Sequence, residues 1–71
     1  MHRRILKDLG KRIRGLRHKQ KISQAQLGYE CGVHGEYIGR IERGEQSPTI
    51  TTLFGIAQAL GVSLRDLVDI E

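Results

Sequence analysis

Residues Gln24–Ile41 read QAQLGYECGVHGEYIGRI, and the spacing within this stretch decides the fold. Ser23 stands just before it and Gln26 three residues on, the pair that forms a capping box at a helix start. Leu27 and Cys31 then lie four apart on one face, and Gly32 supplies the left-handed conformation that stops a helix. A second short helix is expected from about Gly35 to Arg43, with Ile38 and Ile41 on one face and Gly44 as its C-terminal cap. Two helices of about eight and nine residues, joined by a turn of about three, must cross steeply and touch closely to share a core. Close crossing needs a small residue at the contact, and Gly28 sits one turn into the first helix of the pair. Leu27, Val33, Ile38 and Ile41 supply apolar anchors before the crossing, in the turn and on the second helix. Together these offsets predict a helix-turn-helix over residues 24–43.

Working outward, Leu6, Leu9, Ile13 and Leu16 fall at helical spacing and predict a first helix over residues 5–20, with basic side chains on its other faces. Downstream, Pro48 forces Ser47 into an extended conformation. Thr49 can then cap a fourth helix with Ile50, Leu53, Ile56, Ala57 and Leu60 inward and Gly61 at its end. Ser63 with Asp66 opens a short last helix, over about residues 64–70, that holds Leu64, Leu67 and Val68. No stretch alternates apolar and polar residues with period two, so no strand is expected. The expected fold is all-α, a five-helix single domain spanning residues 1–71.

Size and charge narrow the function. At 71 residues there is no room for a barrel or a doubly wound sheet with a substrate cleft. Twelve Lys and Arg against eight Asp and Glu give a net charge of +4, which favours an anionic partner. The charge is uneven. Residues 1–22 carry nine basic side chains against Asp8 alone, and the rest of the chain is mildly acidic. Trp is absent and the aromatics are few, poor equipment for stacking single-stranded bases. A single cysteine, Cys31, forms no intrachain disulfide and reads as core filler in a cytoplasmic protein. No apolar run exceeds two residues, so neither a membrane span nor a signal peptide is expected. No metal-ligand spacing, acid–base pair, nucleophile–base set or phosphate loop is present, so no enzyme, cofactor, metal or small-molecule ligand is expected. Gly10, Gly15, Gly28, Gly39 and Gly55 fall inside predicted helices at up to about 1 kcal/mol each against Ala. That implies modest monomer stability, coupled to dimerisation.

The stretches Ser23–Gly28, Cys31–Val33, Tyr37–Gly44, Ser47–Thr49 and Ala57–Ser63 together resemble the lambda-repressor-like, Cro-type helix-turn-helix family, also called XRE. The resemblance runs from about Leu9 to Leu67. Small members of that family include controller proteins of restriction–modification systems, phage-type repressors and some antitoxins. The run from Tyr37 to Gly44 looks most like the controllers.

The resemblance implies a transcriptional regulator that binds double-stranded DNA, with the third helix entering the major groove at its N-terminal end. His34, Gly35, Glu36 and Arg40 would then face bases. A guanidinium at Arg40 can donate two bonds to guanine O6 and N7, and Glu36 can accept from cytosine N4. Tyr37 can reach a phosphate or a thymine methyl. His34 can also cap the helix. Gln24 would hold a backbone phosphate through its amide and the start of the second helix. Arg43 is placed for a flanking phosphate. Gly35 departs from the family pattern: it offers no direct readout, or it lets the backbone approach the groove, and Gly39 carries the same two readings.

Arg17 and Glu42 occupy positions where the family forms a partly buried ion pair between the first and third helices. Leu64, Leu67, Val68 and Ile70 match the region from which relatives build a two-fold dimer; the alternative is core plus a frayed tail. A dimer would place two recognition helices about 34 Å apart and call for a pseudo-palindromic operator. Arg3, Arg4 and Lys7 form either an arm along the DNA backbone or a solvated terminus. The rival function is an antitoxin-like protein-interaction module with secondary DNA binding.

Overall fold

The helical apolar spacing closes into five α-helices in the computed structural model, which describes residues 2–70. They are α1 (His2–Lys19), α2 (Gln24–Cys31), α3 (Gly35–Glu42), α4 (Ile50–Leu60) and α5 (Leu64–Leu67), and no strand occurs among the described residues. The buried core is Leu9, Ile13, Leu27, Ile38, Ile41, Ile56, Ala57, Leu60 and Leu67, all of them on faces that the periodicity points inward. α2 packs on α3 and on α4, α1 lies across α3, and α5 closes the open side between α4 and α1. No helix of the described residues is long and apolar enough to cross a membrane.

Helix starts follow the expected caps. The Ser23, Thr49 and Ser63 hydroxyls accept from the backbone N–H groups of Gln26, Thr52 and Asp66 at 3.0, 3.1 and 3.0 Å. The capping box at Ser23 is only half closed. Gln26 turns its amide outward and donates to Glu30 at 2.6 Å instead of reaching back to Ser23.

Helix ends share one device. After each of α1 to α4 one residue turns left-handed, and the N–H of the next residue bonds a carbonyl five positions back: Ile22 to Arg17, Val33 to Gly28, Glu45 to Arg40 and Val62 to Ala57. This is the Schellman closure. Gly32, Gly44 and Gly61 supply the left-handed residue in three cases, at φ 80°, 76° and 71°. Lys21 supplies it in the fourth, at φ 59°, where no glycine signal exists.

The first and last helices differ from expectation. α1 begins at His2, three residues earlier than residue 5, because Arg and Lys are good helix formers and nothing in the first turns breaks the helix. Arg3, Arg4 and Lys7 are therefore on a helix and form no extended arm. α5 is a single turn and stops at Leu67, not at residue 70. The Asp66 carbonyl that a longer helix would offer to Ile70 instead accepts two N–H bonds from Arg12, at 3.1 and 2.9 Å, and one from the Asp69 backbone at 3.3 Å. Ile50, expected inward, is exposed and shares a stripe with Phe54 one turn on.

Two of the helical glycines set how close the helices come. A Cβ on Gly10 would stand 2.5 Å from the Ile41 carbonyl oxygen and closer still to that of Glu42, so α1 lies directly on the C-terminal end of α3. A Cβ on Gly28 would stand 2.6 Å from the Val33 carbonyl oxygen, within the turn. Gly15 faces open space. The expected contrast is sharp. Gly15→Ala stabilises the fold by about 0.5–1 kcal/mol through helix propensity. Gly10→Ala, with the same propensity gain, destabilises it by about 1–3 kcal/mol because backbone cannot yield as a side chain can. Urea denaturation of the two variants checks this, and a stabilised Gly10→Ala would refute the close crossing.

Candidate nucleic-acid interface

The site is built on α3. Its inward face carries Ile38 and Ile41, which fix the helix in the core, and Glu42, which is buried. That leaves one outward stripe at helical spacing: Glu36, Arg40 and Arg43 are all exposed. Arg40 takes part in no ion pair among the described residues, so its guanidinium is available for a partner. Glu36 lies in the first turn of α3, where a carboxylate favours the helix dipole whatever else it does. His34 is the residue before the helix, extended at φ −71° and ψ 148°, exposed, and its side chain makes no capping bond. The expected capping role is thus not taken. Tyr37 is half-buried and packs on the core beside Val33, His34 and Thr52, so only part of its ring surface is open.

Gly35 has a packing role that its sequence context does not reveal. Its Cβ would stand 2.8 Å from the Ala25 Cα and 3.0 Å from the Ala25 nitrogen. The glycine is there so that the start of α3 can rest on the start of α2. It brings the two helix beginnings, and with them Gln24 and Arg40, onto one side of the molecule. Gly39 is buried beneath two side chains: its Cβ would meet Arg43 Nη1 at 3.1 Å and the Gln24 amide at 3.3–3.4 Å. Gln24 and Arg43 therefore converge over α3 from opposite sides.

A buried polar network holds this arrangement. Arg17 grips Glu42 with two parallel bonds, Nε to Oε2 at 2.7 Å and Nη2 to Oε1 at 3.0 Å. Its Nη1 donates to the Ile22 carbonyl at 2.8 Å, in the connection before α2. Gln24 Nε2 donates to the same Glu42 carboxylate at 3.1 Å. No buried side-chain nitrogen or oxygen among the described residues is left without a partner. The network ties α1, the start of α2 and the end of α3 into one piece. It also corrects the simple view of Gln24. One of its amide hydrogens is committed to Glu42, and only the rest of the amide and the backbone remain for a phosphate.

The C-terminal residues divide. Leu67 is fully buried in the core and is not available to a second chain. Leu64 is half-buried against the core, and Ile70 folds back beside Arg4, Asp8, Lys11 and Arg12. Val68 alone of the four is well exposed. Large apolar side chains also remain open at Ile5 on α1, Tyr29 on α2, and Ile50 and Phe54 on α4, each more than half exposed, and the last two form one stripe. The inward face expected for Ile50 conceals this stripe. The i, i+4 spacing of Ile50 and Phe54 is the signal that marks it. Cys31 is core filler as expected, its thiol bonded to the Leu27 carbonyl at 3.1 Å and pushed up in pKa by burial.

Comparison with known proteins agrees with this geometry. A helix-turn-helix family profile matches residues 13–67. The control protein C.BamHI of Bacillus amyloliquefaciens is 39% identical over 61 residues, covering 84% of this chain and 75% of that protein. Among solved structures, the restriction-modification controller protein C.AhdI from Aeromonas hydrophila superposes with a TM-score of 0.89 at 32% identity, over 93% of this chain and 96% of that one. The c2 repressor of Salmonella phage P22, solved in complex with a synthetic operator, superposes with a TM-score of 0.81 at 39% identity, over 86% and 92% of the two chains. The five-helix fold is thus of the lambda-repressor-like type, and the family is one of regulators, not enzymes.

The network generates a direct test. Glu42→Ala leaves the Arg17 guanidinium buried without its anion, and loss of one partner of such a pair costs about 3–5 kcal/mol. Denaturation should show that loss. Affinity for DNA, measured at a temperature where the variant is still folded, should fall by less. Unchanged melting with lost binding would contradict the structural role.

Proposed function

Because the chain belongs to the XRE-type helix-turn-helix family, we propose that it is a small transcriptional regulator that binds double-stranded DNA as a homodimer on a pseudo-palindromic operator. The observation that carries this reading is the single outward stripe of α3, with Arg40, in no ion pair among the described residues, at its centre and Gln24 beside Arg43. α3 enters the major groove, Arg40 reads a guanine through its O6 and N7, and Glu36 accepts from a neighbouring cytosine amine. Gln24 and Arg43, side by side over Gly39, hold phosphates of one strand and set the register of α3 without reading sequence. His34 and the open edge of Tyr37 lie at the groove end of the helix. Gly35 contributes position, not readout. The protein works in the cytoplasm, where such an operator is found.

The dimer is assigned to the exposed step of Ile50 and Phe54 on α4, with Val68 as the exposed apolar group nearest in sequence to α5. Leu64 packs against the core, Leu67 anchors α5, and Ile70 stays with α1. Large apolar side chains left open on so small a domain are best explained by a partner surface. A second copy of the chain also supplies the second recognition helix that a two-fold operator requires. Control then comes from concentration, because operator filling follows dimerisation.

Selection of bound duplexes from a random pool tests the reading. The expected winner is a palindrome with half-site centres about 10 bp apart. Arg40→Ala should relax one base position per half-site at a cost of about 1–3 kcal/mol, while Gln24→Ala should weaken all sequences alike. Binding without any enriched sequence would overturn the reading and favour a protein partner instead.

Dimerisation has its own check. The melting temperature should rise with protein concentration, and the double variant Ile50→Ser/Phe54→Ser should abolish that rise while the helical content is kept. A wild-type melting temperature that is flat with concentration would remove the dimer.

A further inference from the structure

The basic residues at the start of α1 do not act as one group. Arg3 and Lys7, one turn apart, face the turn after α3 and form a groove with Leu6, Arg43, Gly44 and Glu45. Arg4 faces the other way, toward Asp8, Lys11 and Arg12. The Lys7 stem lies hard against the turn: a Cβ on Gly44 would stand 2.7 Å from Lys7 Cγ. Gly44 is left-handed and has no Cβ, so Lys7 packs against the turn and lines the groove that Arg43 borders.

Three cations thus border one groove, with Glu45 as its one acid. Glu45 accepts from Arg43 Nε at 3.1 Å, and both side chains are more than half exposed. An ion pair so exposed is weak, typically under about 1 kcal/mol, and a better anion can replace the carboxylate. Arg43 is also the link to the recognition surface, because its Nη1 lies over Gly39 beside the Gln24 amide. A strand of phosphates held by Gln24 on one side of α3 would pass Arg43 and continue to Lys7 and Arg3.

We infer that the groove of Arg3, Lys7 and Arg43 is a second phosphate seat, for the DNA backbone flanking the half-site, and that Glu45 is an internal anion that holds Arg43 until a phosphate displaces it. This rests on the DNA-binding reading given above. The seat carries no sequence information. It lengthens the footprint and raises the salt dependence, and Glu45 lowers the affinity of the resting protein for DNA in general.

The test uses the full chain and two duplexes carrying the selected operator, one with long flanks and one trimmed to the half-sites. Arg3→Gln/Lys7→Gln keeps much of both stems and removes both charges. On the long duplex it should bind about tenfold more weakly at low salt, with the slope of log affinity against log salt reduced by about two. On the trimmed duplex it should bind like the wild type. Glu45→Gln should bind the long duplex several-fold more tightly and keep the same preferred sequence. Unchanged melting temperatures confirm that both variants fold. Variants that match the wild type on the long duplex overturn the seat while leaving the regulator reading intact. An equal loss on both duplexes also overturns it, since the charges would then act only as a diffuse field. A wild-type protein that prefers no duplex overturns the parent reading, and the seat falls with it.

Discussion

The fork between Arg17 and Glu42 is the constraint on which the rest of the molecule depends. It joins α1 to the end of α3 across the core, and through Ile22 and Gln24 it reaches the start of α2. Taking two charges out of water costs several kcal/mol each, and their attraction offsets this only with good geometry and full hydrogen bonding. Here both conditions hold. The guanidinium meets the carboxylate side by side, and the third guanidinium nitrogen and the shared carboxylate oxygen each have a further partner. An apolar pair of the same volume could match the stability, but it would not fix direction. A bidentate bond fixes the azimuth of α3 about its own axis, and that azimuth decides which side chains form the outward stripe. The pair therefore sets the aim of α3 in the same act by which it holds α1, α2 and α3 together.

The glycines act on the same geometry from the backbone side. Gly10 lets α1 touch the carbonyls at the end of α3, next to Glu42. Gly35 lets the other end of α3 touch α2 at Ala25. α3 is thus held at both ends by contacts that admit no Cβ, and in its middle by Ile38 and Ile41. A helix of eight residues has too little surface to be oriented by apolar area alone. Close backbone contact at each end, with a directional ion pair between, supplies what area does not. The propensity lost by placing glycine in helices is small beside the overpacking that a methyl group would cause at Gly10.

Much of this architecture is legible in the order of the amino acids. The core residues follow from period 3.6, and three starts and three stops follow from Ser23, Thr49, Ser63, Gly32, Gly44 and Gly61. The stop after α1 is harder to read, because Lys21 takes the left-handed position that glycine usually marks. Ile22 packed against the core and Arg17 bonded to the Ile22 carbonyl hold the chain there despite the steric cost at Lys21. The length of α5 is obscured for a similar reason. Its apolar residues suggest a longer helix, but whether a carbonyl is free to accept depends on Arg12, fifty-four positions away. At the site, the stripe of α3 is readable from spacing, whereas the purpose of Gly35 is not. A glycine that serves a crossing and a glycine that serves a ligand look identical in sequence, and only the distance to Ala25 separates them.

Charge is where composition misleads most. Nine basic residues in the first 22 suggest a uniform positive segment, yet α1 carries eight of them and distributes them by face and by task. Arg17 is buried and neutralised by Glu42. Arg12 is occupied by the Asp66 carbonyl. Arg4 and Lys11 share a cleft with Asp8 on the side away from Arg43, and Arg3 and Lys7 alone border the turn after α3. The field that an approaching polyanion meets is therefore not the net charge of +4 spread over a sphere. It is a band from Arg40 and Arg43 to Lys7 and Arg3, interrupted by Glu36 and Glu45. Screening beyond about 8 Å at physiological salt makes such local order matter more than the total. Two acids set among the cations weaken indiscriminate attraction to any duplex, and a site whose bases and flanks satisfy Arg40 and Arg43 together overcomes them. Selectivity in this molecule thus depends on where its negative charges stand as much as on its positive ones.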